Sequence, residues 1–302
     1  MGRIVVVGSY NRDTVLRVPR FPRPGETLAA TGLARFHGGK GSNQAIAAAR
    51  SGARVAVRAA IGADEAGEGA LALWRTEAVD LAAVARIAGA PTGEALILVD
   101  AQGENQIVIV GGANDALPVE DDIPAIREAA MVLAQLETPL EATIAAFRAA
   151  RTVGAATLLN AAPARPLPQE VLALTDILVV NETEAALLLG RAGEPADLAR
   201  GLAPRHPRGV VLTAGAAGAV WARGEAVLHV PAPATAVVDS TGAGDAFIGA
   251  FAAALVAGLE EREALRRGVT AGALACRRAG AVPSLPRLEE IEAALAARYQ
   301  DE

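Results

Sequence analysis

Short apolar runs closed by small or polar residues alternate along the chain with longer alanine-rich stretches. Ile4–Val7, Arg54–Ala60, Met131–Leu136, Ala155–Leu159, Ile177–Val180 and Val210–Thr213 read as strands. Their near-continuous hydrophobicity fits strands covered on both faces, as in a parallel sheet between two layers of helices. Glu65–Ala78, Ala45–Arg50, Ala185–Leu189, Ile248–Leu259, Glu260–Arg278 and Leu288–Arg298 read as helices. The alternation predicts a three-layer α/β/α fold with a mostly parallel central sheet. Two stretches break the rhythm. Thr14–Val18 alternates like a half-exposed strand, and Glu94–Val99 with Gln106–Val110 forms a hairpin around Ala101–Asn105. Together they predict a small β-sheet lid, with strands from about 12–35 and 91–112, on a single domain spanning 1–302. Ala219–Trp221 and Val227–Val230 are expected to add antiparallel strands, and Ala236–Val238 to end as a strand in the turn that follows it.

Polar residues gather just past the strands, where open α/β sheets bind their ligands. Asn11 and Asp13 follow the first strand, Glu137 the run ending at Leu136, and Asn160 and Asn181 the next two. The stretch Asp239–Phe247, read as Asp-Ser-Thr-Gly-Ala-Gly-Asp-Ala-Phe, carries the most chemistry. Gly242 and Gly244 let backbone N–H groups converge, and a helix N-terminus adds partial positive charge, so the turn suits a phosphoryl group. Asp245 stands where it could take a proton from a hydroxyl. A plain glycine turn with an aspartate N-cap explains the same residues if the stretch is taken alone.

Phe36–Gln44 packs three glycines beside Lys40 and Asn43, which implies close approach of backbone to something polar. It is not a P-loop, because Gly41 follows Lys40 where Ser or Thr is required, and no G-x-G-x-x-G follows the first strand. Asn181 and Glu184 have the spacing of a capping box, and the same oxygens could serve Mg²⁺ and phosphate. Thr213–Gly218 is a second glycine-rich turn.

Composition narrows the ligand. With 302 residues, 52% hydrophobic and 21% charged, the chain can bury a large core, and no linker interrupts it. A net charge of −6 without a basic cluster argues against nucleic acid and for a small molecule. The one cysteine, Cys276, allows no intramolecular disulfide and fits a reducing compartment. The uncharged run Ala246–Leu259 falls short of the ~20 residues that span a bilayer. Ile4–Val7 is too short for a signal-peptide core, so a cytoplasmic location away from membranes is expected.

Gly38–Asn43 and Asp239–Asp245, with Asn181–Glu184 and Thr213–Gly218 between them, resemble the signatures of the ribokinase-like sugar kinases (phosphofructokinase B type) over nearly the whole chain. Asn11-x-Asp13, Gln135-Leu136-Glu137, Asn160-x-x-Pro163-Ala164-Arg165 and Gly280-x-x-Pro283-Ser284 extend the likeness. It implies that Asp13, Gly38, Gly39, Lys40, Asn43 and Glu137 surround a sugar, with Asn11 supporting the end of the first strand. Asp245 would be the catalytic base, with the N–H groups of Gly242, Ala243, Gly244 and Asp245 as anion hole. Asn181 and Glu184 would position Mg²⁺ through its waters. Thr213, Ala214, Gly215, Ala216, Ala217 and Gly218, with Gly244 and Asp245, would line ATP. K⁺ would be held at Asp239, Thr241, Ala275, Arg278, Gly280 and Ser284, mostly through carbonyls. A homodimer through the lid strands is implied as well.

The implied reaction is ATP-dependent phosphorylation of the primary hydroxyl of a pentose, D-ribose first among them. Another sugar, a ketodeoxy sugar acid or a nucleoside is the alternative within the fold. Lys40 and Glu137 around a compact polar pocket, in a chain with 3% aromatics, favour a free sugar. A sugar- or nucleotide-binding regulator without turnover is a different class, opposed by the intact Asp245. A dinucleotide oxidoreductase is opposed by the missing phosphate fingerprint. Arg12 and Glu94 depart from the family's pattern of small or apolar residues. Alternation puts Arg12 opposite Asp13, which predicts solvent exposure or a pair with Glu94 across the lid or at a dimer contact. Either residue facing the pocket would argue for a substrate other than ribose.

Overall fold

In the computed structural model, which describes residues 2–298, the apolar runs become strands buried on both sides. The strands are β1 (Arg3–Val7), β2 (Asn11–Arg17), β3 (Gly32–Gly38), β4 (Arg54–Arg58), β5 (Ala60–Gly62), β6 (Ala85–Ile87), β7 (Gly93–Val99), β8 (Asn105–Val110), β9 (Ala129–Ala134), β10 (Ala156–Asn160), β11 (Ile177–Asn181), β12 (Val210–Thr213), β13 (Ala219–Arg223) and β14 (Ala226–Val230). The helices are α1 (Lys40–Arg50), α2 (Glu65–Thr76), α3 (Leu140–Thr152), α4 (Gln169–Ala173), α5 (Glu182–Leu189), α6 (Pro195–Leu202), α7 (Ala243–Val256), α8 (Glu261–Ala275), α9 (Ala281–Ser284) and α10 (Leu288–Arg298).

The main sheet runs β14-β13-β12-β11-β10-β9-β1-β4, parallel from β12 to β4 and antiparallel at β13 and β14. Successive side chains go to opposite layers. Ile4, Val6, Leu133 and Val179 join α1, α7, α8 and α10, whereas Val5, Val7, Val132 and Val180 join α3 to α6. Each such side chain contributes about 1.5–3 kcal/mol on burial, so cover on both faces, more than strand propensity, holds the runs extended.

Two features position the site. The chain leaves β1 towards β4 on one side and returns through β9 on the other, so the strand order reverses between β1 and β9. A crevice opens at the carboxyl ends of such a pair. The second feature is the close crossing of α1 and α7. A Cβ on Gly249 would lie 2.4 Å from Ala47 Cβ and 2.6 Å from the Ala48 nitrogen. Only glycine admits this approach, and it brings the first turns of both helices to one place.

The lid is a separate four-stranded sheet, β3-β2-β7-β8. It is rooted at Asn11, four residues past β1, and its central pair β2 and β7 is parallel. Beyond the expected elements the chain forms the short pair β5 and β6 and the helices α3, α4 and α6, and β3 runs on to Gly38, past the expected lid bound at about 35. The sequence reading began α1 at Ala45 and α7 at Ile248, whereas the helices begin at Lys40 and Ala243. Both glycine-rich segments thus form first helical turns, where glycine's low propensity hid them. Ala236–Val238 is not a strand: Val237 and Val238 lie exposed, with the Val238 N–H donating to the Cys276 carbonyl at 2.8 Å.

Candidate active site

The glycine-rich start of α1 is pressed against the exit of β1. Gly41 fits because any Cβ there would come within 2.4 Å of the Ser9 nitrogen, and the Ser42 N–H donates to the Ser9 carbonyl at 2.8 Å. Glu137, three residues past β9, accepts from the Ser9 hydroxyl and from the Lys40 backbone N–H at 2.9 Å. One carboxylate therefore ties β9, β1 and α1 together at the switch point. Ser9 had no assigned role in the sequence reading; only its place after β1 marks it.

Asp13 enters from β2. Gly38 on β3, paired with Asn11, lies diagonally across from it, and a Cβ there would come within 2.3 Å of the Asp13 carboxylate. Burial pushes the Asp13 carboxyl up to about 7, with the charges of Glu137 and Asp245 adding in the same direction. Asn11 is buried and does not reach out. Its Oδ1 accepts from Asn114 Nδ2 at 2.9 Å, and Asn114 also brackets the Tyr10 backbone through both amide atoms. Asn114 had no role in the sequence reading, because nothing local marks a residue acting across a hundred positions of chain.

Asp245 occupies the first turn of α7. The N-cap is Gly242, in the left-handed region at φ 78°, so Asp245 is the third helical residue and not the cap. N–H groups in a first turn have no carbonyl of their own helix to bond, which leaves those of Gly244 and Asp245 for an anion beside the positive end of the dipole. The Ala243 N–H already donates to the Ser240 carbonyl at 3.2 Å. Asn43 Nδ2 donates to Asp245 Oδ2 at 3.0 Å, and Gln44 Nε2 to Asp245 Oδ1 at 2.9 Å. The protein packed around Asp245 raises its carboxyl above the usual range; Lys40, Gln44 and Asn43 pull it back, and Glu137 pushes it further up. Such a carboxylate suits proton abstraction.

Asp245 also lines a cavity of about 230 Å³, together with Lys40, Asn181, Glu184, Thr213 and Gly244, among others. The Asn181–Glu184 capping box is complete: the Glu184 N–H donates to Asn181 Oδ1 at 2.8 Å and the Asn181 N–H to Glu184 Oε2 at 2.8 Å. Burial raises the Glu184 carboxyl, opposed by the Asn181 N–H and Lys40. A single buried carboxylate with its amide partner fits a hard cation that keeps most of its waters. Among the described residues no three His, Cys, Asp or Glu side chains cluster as a metal cage. Thr213 lines the cavity, whereas Gly215–Ala217 form an exposed turn at its edge.

Asp239 clamps the turn before α7. Its Oδ1 accepts from the Thr241 N–H (2.9 Å) and hydroxyl (2.7 Å), and its Oδ2 from the Gly280 N–H at 2.8 Å. The Asp239 N–H donates to the Cys276 carbonyl at 3.3 Å. Asp239, Thr241, Ala275, Arg278, Gly280 and Ser284 thus belong to two adjoining segments, with Ala275 and Ser284 buried.

Arg12 is not solvent-exposed. Its side chain is 26% accessible and reaches Glu94 at 3.3 Å, its cross-strand neighbour in register, and Glu65 of α2 at 3.8 Å. The Thr14 hydroxyl donates to Glu94 at 2.8 Å. The pair forms within one chain, on residues whose register places them opposite the Asp13 face of the lid.

Residues 1–288 match the pfkB family of carbohydrate kinases. The chain is similar to the ribokinase of Staphylococcus aureus (strain COL), 39% identical over 96% of this chain and 98% of that protein. It is similar to the ribokinase of Haemophilus influenzae, 36% identical over 95% and 96%. The structure of Arabidopsis thaliana ribokinase complexed with ribose and ATP superimposes with a TM-score of 0.91 at 34% identity, covering 97% of this chain and 98% of that one.

Proposed function

The chain belongs to the pfkB family of carbohydrate kinases, and from that premise we propose that it transfers the γ-phosphoryl group of ATP to the primary hydroxyl of D-ribose, giving D-ribose 5-phosphate. The observation that carries this reading is the place of Asp245. It lines a cavity with Lys40, Asn181, Glu184 and Thr213, and its charge couples with those of Asp13 and Glu137. In this reading a sugar hydroxyl delivered from the side of those two carboxyls meets the base and the N-terminus of α7 together.

In this reading Asp13, Glu137 and the Gly38–Asn43 turn orient the sugar. Asp245 takes the hydroxyl proton as that oxygen bonds to the γ-phosphorus and the bond to the β,γ-bridging oxygen breaks. The Gly244 and Asp245 N–H groups, with Gly242, face the charge spread over the phosphoryl oxygens. Positioning and charge stabilisation supply most of the acceleration expected for a loose phosphoryl transfer. Thr213–Gly218 carry the nucleotide. Glu184 and Asn181 would hold Mg²⁺ through water, and when bound it neutralises the phosphate charge. The segments 239–241 and 275–284 would hold K⁺, whose charge orders the turn before α7. Among the described residues no helix is long and apolar enough to cross a membrane. Together with the lone Cys276, this supports action in the cytoplasm. Leu33, Leu96, Ile107, Val108, Ile109 and Val110 stand exposed on the lid, which supports a homodimer through these strands. Sedimentation velocity returning only monomer would count against the dimer.

The test is coupled ADP release with a panel of free sugars and nucleosides, each with MgATP in potassium and in sodium buffer. Selective turnover of ribose, faster in potassium, is expected. Asp245→Asn is expected to lower kcat by about 10²–10⁴ with little change in the KM for MgATP. Turnover of another sugar in preference to ribose would overturn the substrate, and full activity in Asp245→Asn the mechanism.

A further inference from the structure

Gln44 is wholly buried in the first turns of α1 and has no surface of its own to offer substrate. Its amide is nevertheless directed. Gln135 Nε2 donates to Gln44 Oε1 at 2.6 Å, and Gln44 Nε2 donates both to Asp245 Oδ1 at 2.9 Å and to Asn160 Oδ1 at 3.1 Å. An amide has one acceptor end and one donor end. With its oxygen held by Gln135, Gln44 can present only N–H to the carboxylate. Gln135 is itself buried, and its Oε1 takes no partner while its nitrogen serves Gln44.

We infer that Gln44, oriented by Gln135, is a positioning residue for the base: it fixes the rotamer of Asp245 and keeps its carboxylate an acceptor towards the substrate hydroxyl. The inference rests on Asp245 acting as the base. Asn43 holds Oδ2 and Gln44 holds Oδ1, so each oxygen keeps lone pairs for one incoming hydroxyl while rotation about the carboxyl is blocked. Neither amide nitrogen can accept a proton, so both favour the ionised form. They act against the raising effect of the surrounding protein and of Glu137, in concert with Lys40. Lys40 from α1, Glu137 past β9 and Asp13 from β2 are the charged groups facing the carboxylate.

The test compares wild type with Gln44→Met, which keeps the volume and removes the donor, and Gln135→Met, which leaves Asp245 untouched and frees the Gln44 amide to turn. The pH profile of kcat/KM for the sugar is recorded together with kcat, the KM for MgATP and the thermal midpoint. Gln44→Met is expected to move the acid limb up by about one pH unit and to lower kcat about tenfold at neutral pH, since one hydrogen bond to a charged group is lost. The KM for MgATP should stay as it is. Gln135→Met should move the limb in the same direction by less. If Gln44→Met does not fold, Gln135→Met alone decides. An acid limb where wild type has it, with activity falling only as stability falls, would overturn the inference. An inactive wild type would instead overturn the kinase reading itself.

Discussion

Asp13→Asn should make the sugar-free protein more stable as pH rises, by an amount the site's electrostatics set. In the unfolded chain an aspartate titrates near 3.9. In the folded protein burial, reinforced by Glu137 and Asp245, holds Asp13 up to about 7. The folded state therefore binds this proton more tightly than the unfolded one. The associated stability is fully present below the unfolded value and is lost as pH rises towards 7. Each pH unit between the two values corresponds to about 1.36 kcal/mol, so wild type should lose about 3 kcal/mol between pH 4.5 and 8 through this group. Asparagine keeps the shape and has no proton to lose. The stability of Asp13→Asn minus that of wild type should thus climb by about 3 kcal/mol over that range and level off above pH 7. Urea unfolding at half-unit pH steps, without sugar, measures it. A pH-independent difference, or one that falls with pH, would refute the reasoning. The same variant should bind sugar poorly, because the carboxylate that destabilises the empty site is the one available to accept sugar hydroxyls.

Arg12→Ala and Glu94→Ala should be non-additive by about 0.5–1 kcal/mol in a double-mutant cycle on unfolding, since both side chains are partly shielded on the lid; zero coupling would dispose of the pair. Gly249→Ala should cost about 1–3 kcal/mol, because its methyl group would overlap Ala47 and the backbone of Ala48. It should also lower kcat, as α1 and α7 move apart and Asn43 and Gln44 draw away from Asp245. Unchanged kinetics in a destabilised Gly249→Ala would show that the helix crossing does not set the site.

Much of the molecule was legible in the chain. The continuous apolar runs determined a parallel sheet covered on both faces, because such runs can be satisfied in few other ways. The glycine-rich segments 38–43 and 239–245 marked the site, because close approach of backbone leaves a residue-type signature. The sequence also showed the lid hairpin and the Asn181–Glu184 box, whose partners lie within three residues of each other. Three things it did not show. Elements of low propensity were hidden: α1 begins at Lys40 and α7 at Ala243, because packing against the sheet and against each other winds glycine-rich turns that would not be helical alone. The exposure of Val237 and Val238 was hidden too, since an apolar run does not say whether anything will cover it. The partners of the reactive groups were decided only by the tertiary fold. Asp245 meets Gln44 across 201 positions and Ser9 meets Glu137 across 128. The pairing of Arg12 with Glu94 across the lid was anticipated from the sequence, but a carboxyl's pKa and an amide's direction depend on neighbours brought together by the order of strands, and that order is a property of the whole sheet and not of any segment within it.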